Sequence, residues 1–114
     1  MNGDRYRSLR MLAGVAMLTW FGVCRPATAE TPETTNIVVK NFMFMPMSVT
    51  VATGSTVTWS NQDQEPHTVV SDTGLFRSSA IDTNESFSFK FDQPGTYHFM
   101  CSIHPQMVGT IVVQ

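Results

Sequence analysis

The 114-residue chain is 42% hydrophobic and 14% charged, with seven Lys and Arg against nine Asp and Glu. That length holds one domain at most. A formal net charge of -2 without any basic run argues against nucleic acid or anionic lipid as partners, since both need clustered Lys and Arg.

In chain order, Arg5, Arg7 and Arg10 precede the apolar stretch Met11 to Val23, and Ala27-Thr28-Ala29 gives a small-x-small site. This is the pattern of a cleavable export signal over residues 1–29, which predicts a periplasmic protein. The 13 apolar residues from Met11 to Val23 are too few to span a bilayer, so no stable membrane insertion is expected. Phe21-Gly22-Val23 is not the small-residue context expected ahead of a lipidated cysteine at Cys24. The remaining domain, 30–114, carries three cations (Lys40, Arg77, Lys90) against eight acids, a net charge of -5. It retains one cysteine, Cys101, and so forms no internal disulfide. A lone exported thiol is either an inert buried side chain or a thiolate held by a metal. A domain this small buries a modest core, for which a metal is a useful staple.

Residues 30–36 are polar, Thr-rich and expected to fray. Beyond them the pattern has period two. Ile37 to Lys40 is a short β-branched run, and Ser48 to Ala52 and Thr56 to Asn61 flank Thr53-Gly54-Ser55 as a hairpin would. His67 to Ser71 continues the pattern. Glu85 to Phe91 sets Phe87, Phe89 and Phe91 on one face, and after a Pro-Gly turn Thr96 to Cys101 and Val108 to Val113 complete the strands. No segment shows sustained helical periodicity. The predicted class is all-β, a Greek-key β-sandwich, because short strands with one apolar face each bury those faces by packing sheet on sheet. Its expected core is Val57, Trp59, Phe87, Phe89, Phe91, Tyr97, Phe99, Ile111 and Val113. The segment from Asp72 to Asn84 has no clean pattern, with Phe76 and Ile81 expected to tuck inward.

Cys101-Ser102-Ile103-His104-Pro105-Gln106-Met107 falls between two strands and reads C-x2-H-x2-M. His67, after Pro66, begins an earlier strand that a sandwich can bring to the same end. One thiolate, two imidazoles and one thioether form the donor set of a blue-copper site, trigonal His2Cys with a weak axial Met. The thiolate suits Cu(I), imidazole serves both oxidation states, and the thioether tunes the potential without forcing tetragonal geometry. Zinc competes for Cys and His, yet structural zinc rarely uses Met and usually shows paired spacings such as C-x2-C. A hydrolytic metal centre wants a nearby Glu or Asp base, and thiol catalysis wants a third orienting group; neither stands around Cys101.

Phe44-Met45-Pro46, Gly54, Val57-Thr58-Trp59-Ser60-Asn61, the run from Asn61 through Pro66-His67-Thr68-Val69, Pro94-Gly95-Thr96-Tyr97 and the Cys101 to Met107 loop with Gly109 together resemble the cupredoxins, within them the amicyanin and plastocyanin-like group. The resemblance covers Ile37 to Val113. It implies His67, Cys101, His104 and Met107 as ligands of one copper ion cycling between Cu(I) and Cu(II), and a soluble, monomeric, non-enzymatic carrier of one electron. Its redox partners would dock transiently near His104. Two positions depart from the group: Thr68 stands where Asn is usual, its hydroxyl able to bridge toward Ser102, and Ile103 stands where Pro is usual, leaving a backbone N–H that could approach the Cys101 sulfur and raise the potential. His98, out of phase with Phe99 and Cys101, is expected to face solvent. Met43, Met45 and Met47 share one face of an extended segment opposite Phe42 and Phe44, either as an apolar rim of the copper end or as a Cu(I)-binding strip. The strip supports the alternative reading, a periplasmic copper-trafficking or storage protein.

Overall fold

A computed structural model describes residue 22 and residues 31–114. The expected export signal, apart from Gly22, lies outside the described residues, as do Cys24 and Glu30. Among the described residues there are eight strands and no helix.

The strands form two four-stranded mixed sheets. One runs β2 (Met43–Met45), β1 (Thr34–Lys40), β4 (Thr56–Asn61), β6 (Ser86–Lys90). The other runs β3 (Ser48–Val51), β8 (Val108–Val113), β7 (Gly95–Met100), β5 (Val70–Ser71). The inner faces meet in one apolar core that draws Ile37 and Val39 from β1, Trp59 from β4, Phe99 from β7 and Ile111 from β8. Alternation explains the choice of residues. In β4, Val57, Trp59 and Asn61 are buried while Thr58 and Ser60 turn outward. Trp59 lies edge-on to Phe99 across the two sheets at 5.4 Å and against Phe76 at 5.7 Å and Phe87 at 5.8 Å. Full burial of such a side chain contributes roughly 1.5–3 kcal/mol.

Four expectations are corrected. Ser48–Val51 and Thr56–Asn61 do not form a hairpin: β3 pairs in parallel with β8 and β4 in parallel with β1, so the chain crosses from one sheet to the other at 52–55. Gly54, at φ 89°, makes that crossing against Pro32. Thr34 to Asn36 do not fray, because they pair with Thr56 to Thr58. Phe87, Phe89 and Tyr97 pack against the core while remaining partly exposed. The strand expected at His67 to Ser71 is regular only at Val70–Ser71, and His67 makes an isolated bridge to Ile81. Phe76 and Ile81 do tuck inward, and the Tyr97 hydroxyl donates to the Gln93 carbonyl at 2.7 Å, closing the turn before β7.

Candidate metal centre

The register of the second sheet assembles the site. Val70 opposes Met100 in the antiparallel pair β5–β7. Continuing that pairing outward sets Thr68 opposite Ser102, so the residues just before β5 and just after β7 emerge together. Hydrogen bonds close the junction: Ser102 N donates to Thr68 Oγ1 at 2.7 Å, and the two hydroxyls lie 2.8 Å apart. The hydroxyl bridge expected of Thr68 is therefore made.

On this junction His67 Nδ1 lies 3.9 Å and His104 Nδ1 3.8 Å from Cys101 Sγ, and the three ligand atoms all fall within 4.8 Å of one another. His67 and Cys101 are fully buried and His104 half-buried. Met107, also buried, ends the same loop. Within the loop the backbone closes on itself: Cys101 N donates to Met107 O at 3.1 Å and Met107 N to His104 O at 2.9 Å. Gly109 follows because the Phe99 ring occupies the space a Cβ would need.

Burial pushes the Cys101 thiol up, but the Thr68 backbone N–H and the two histidines outweigh it and bring the pKa down to about 6. Thr68 N donates to the sulfur at 3.4 Å and Thr68 Oγ1 lies at 3.7 Å. Thr68 N and, more weakly, the His104 backbone N–H are thus the backbone donors to the sulfur; the N–H of Ile103 makes no such bond among the described residues, and Ile103 stands 48% exposed. A thiol so disposed is a ready thiolate. With two imidazole nitrogens facing it, the donor set fits a soft or borderline transition metal.

Behind His67 stands a polar network that sequence reading missed. His67 Nε2 lies 2.8 Å from Asp63 Oδ2, which fixes the ring with Nδ1 toward the sulfur. Asp63 also accepts from Asn41 N at 2.6 Å and Phe42 N at 3.0 Å. Burial raises the Asp63 pKa, yet these N–H donors and His67 outweigh it and hold the carboxyl below its ordinary value. Fully buried Asn61 braces the segment: its Nδ2 donates to the carbonyls of Glu65 and Ile81 at 2.8 Å each, and its Oδ1 accepts from Asp63 N at 2.8 Å. Thr83 Oγ1 donates to the Asp63 carbonyl at 2.6 Å.

Asn41 and Phe42 are both left-handed, at φ 52° and 58°. That conformation costs an L-residue roughly 1–2 kcal/mol. Two bonds to a carboxylate, each worth roughly 1.5–3 kcal/mol, offset it. The turn puts the Phe42 ring edge-on to His67 at 5.4 Å and to His104 at 5.0 Å. Asn41 was the available sequence signal, since Asn tolerates this region. His98 faces solvent, as expected, and pairs with Thr110 Oγ1 at 3.1 Å. Met43, Met45 and Met47 are exposed and line a shallow groove with Pro46 and Lys40, while Phe44 is buried against Phe99.

A family model described as a cupredoxin-like domain matches residues 13–113. Amicyanin-alpha of Methylorubrum extorquens is 31% identical over 119 residues, covering 93% of this chain and 100% of that protein. A plastocyanin of Scenedesmus fuscus is 40% identical over 85 residues, 63% of this chain and 87% of its own. Among solved structures, amicyanin from Paracoccus versutus superimposes with a TM-score of 0.68 at 26% identity, over 71% of this chain and 81% of that one. A purple cupredoxin from Nitrosopumilus maritimus gives 0.65 at 30% identity, over 70% of this chain and 99% of its own.

Proposed function

The chain belongs to the family of cupredoxin-like domains, and from that premise we propose that it is a blue-copper electron carrier rather than an enzyme. The observation that carries this reading is the convergence of one thiol and two imidazole nitrogens within 4.8 Å, with Met107 buried at the end of the same loop. We assign His67, Cys101, His104 and Met107 as the ligands. Bound there, copper would supply a one-electron Cu(I)/Cu(II) couple.

The chain's own residues supply the rest. Asp63 orients His67, Thr68 donates to the Cys101 sulfur, and the short loop from Cys101 to Met107 limits ligand movement between oxidation states. Half-buried His104 is the edge through which the electron passes, and exposed Phe42 and Ile103 offer apolar surface for brief docking of a redox partner. The export pattern of residues 1–29 supports a periplasmic carrier, and we expect a monomer.

The test is the optical spectrum of the copper(II)-loaded protein. An intense visible thiolate-to-copper charge-transfer band is expected, and Cys101→Ser should abolish it, because Ser offers no thiolate. A band that survives in the variant sinks the assignment. The exposure of Met43, Met45 and Met47 favours a second reading, copper handling, and stoichiometry decides: a carrier binds one copper, a handling protein binds additional Cu(I) at that strip.

A further inference from the structure

The Asn41–Phe42 turn is costly in backbone conformation and leaves a large aromatic side chain 45% exposed. Hydrophobic burial does not explain it. Strained turns persist where their surroundings over-determine them, and they cluster at functional sites. Here the determinant is Asp63, whose carboxylate holds both N–H groups of the turn and the remote nitrogen of His67 together. The three rings that result stand mutually close, with His67 and His104 themselves 5.1 Å apart.

We propose that Asp63 is the positioning residue of this site: it fixes the ring of His67, sets the Asn41–Phe42 turn, and through that turn seats Phe42 across both histidines as the wall of the site's open edge. The inference rests on the copper reading and adds to it a division of labour. His67 needs its carboxylate partner to stay in one orientation, as metal-bound imidazoles generally do. His104, half-buried, has no such partner among the described residues, and its ring is restrained from the side by Phe42. One carboxylate therefore governs both histidines, the first directly and the second through an aromatic contact. The role of Asp63 is exerted on ligand geometry and on the charge beside His67.

The experiment compares copper-loaded wild type with Asp63→Asn, Asp63→Ala, Phe42→Leu and the double variant Asp63→Ala/Phe42→Leu. Three quantities are read: the rate of copper release to excess Cu(I) chelator, the reduction potential by voltammetry, and the ring-current shifts of the His104 protons in the metal-free protein. Phe42→Leu should speed copper release about tenfold, the scale on which partners of metal ligands act, and should shift the His104 signals. Asp63→Asn keeps one acceptor oxygen but removes a negative charge beside the copper, so its potential should rise. Asp63→Ala should show the raised potential, the faster release and the shifted His104 signals together. In the double variant the Phe42 contact is already lost, so release should be no faster than in Asp63→Ala alone.

Multiplying rates in the double variant would show that Asp63 and Phe42 act independently and would overturn the proposal. So would an Asp63→Ala protein with the potential and release rate of wild type. If Asp63→Ala does not fold, an unchanged potential in Asp63→Asn or an unchanged release rate in Phe42→Leu overturns it equally. A wild-type protein that binds no copper refutes the proposed function instead, and the His104 signals of the metal-free variants still report whether Asp63 places Phe42.

Discussion

The two arms that carry the histidines are held by different means. The upstream arm, from Asn61 to Thr68, is braced by side chains: Asn61, Asp63 and Thr83 form a buried or half-buried network behind His67. The downstream arm, from Cys101 to Met107, is held by two backbone hydrogen bonds, by the bond from Ser102 N to Thr68 Oγ1 and by the pairing of β7 with β8 beneath it, where Gly109 sits on Phe99. The upstream connection joins β4 and β5, which lie in different sheets, so no strand pairing fixes it and side-chain partners must hold its ligand. A short loop between paired strands inherits its geometry from the register. The lesson is that the fully buried histidine is fixed by polar side chains behind it, whereas the half-buried one is carried on a loop between paired strands and steadied from the side by the Phe42 ring.

Removing the upstream brace should have the largest effect. Asn61→Ala strips three hydrogen bonds from buried or half-buried groups and should lower stability by about 3 kcal/mol, read in chemical denaturation of the metal-free protein. It should also broaden the copper signal in electron paramagnetic resonance as His67 loses its single orientation. A variant as stable as wild type would show that the upstream network is decoration and that both arms depend on the sheet.

The downstream arm is attacked through Gly109→Ala, where the added methyl meets the Phe99 ring. Overpacking of this kind costs about 1–3 kcal/mol. Thermal unfolding should report it, with the visible band retained but shifted as the loop moves. An unshifted spectrum would mean that the loop holds its ligands without help from the sheet below it.

Met107→Leu sharpens the contrast at the loop's end. The swap nearly conserves volume, so stability should change by less than about 1.5 kcal/mol. The blue band should remain, and the potential should rise because a donor that favours Cu(II) is lost. Complete loss of copper would show that Met107 holds the metal rather than tuning it.

The smallest effect is expected at the seam between the arms. Thr68→Val removes the hydroxyl that accepts from Ser102 N and approaches the sulfur, but keeps the backbone N–H at 3.4 Å. The sulfur becomes more electron-rich, Cu(II) is favoured, and the potential should fall slightly. A rise in voltammetry would reverse the role given to that hydroxyl.

Much of this was legible in the chain itself. The alternation in Thr56–Asn61 and in Ser86–Lys90 marks strands because a pleated backbone turns successive side chains to opposite faces. The thiol, imidazole and thioether spacing of Cys101, His104 and Met107 reads as a candidate metal site because those donors within one short loop have few other uses. His67 was legible as the partner only through the expectation of a sandwich. Local patterns do not record partners distant in the chain, so Thr34 to Asn36 read as fraying and Ser48–Val51 with Thr56–Asn61 read as a hairpin. Their actual neighbours, β4 for the first and β8 and β1 for the other two, lie about 20 to 60 residues away.

What the sequence by itself determined is therefore the class of fold and the chemistry of the donors, both properties of residue type and short-range period. Tertiary structure alone decided which sheet each strand joins and what Asp63 does. Within Gln62-Asp63-Gln64-Glu65 that aspartate looks like any solvated loop acid. It is only when β1 and β4 run side by side, with Val39 opposite Asn61, that the ends of both strands meet. Asp63 then finds two left-handed amides and an imidazole within hydrogen-bonding reach. Hydrogen bonds are short-ranged and directional, so their partners are set by where the packed sheets leave the chain.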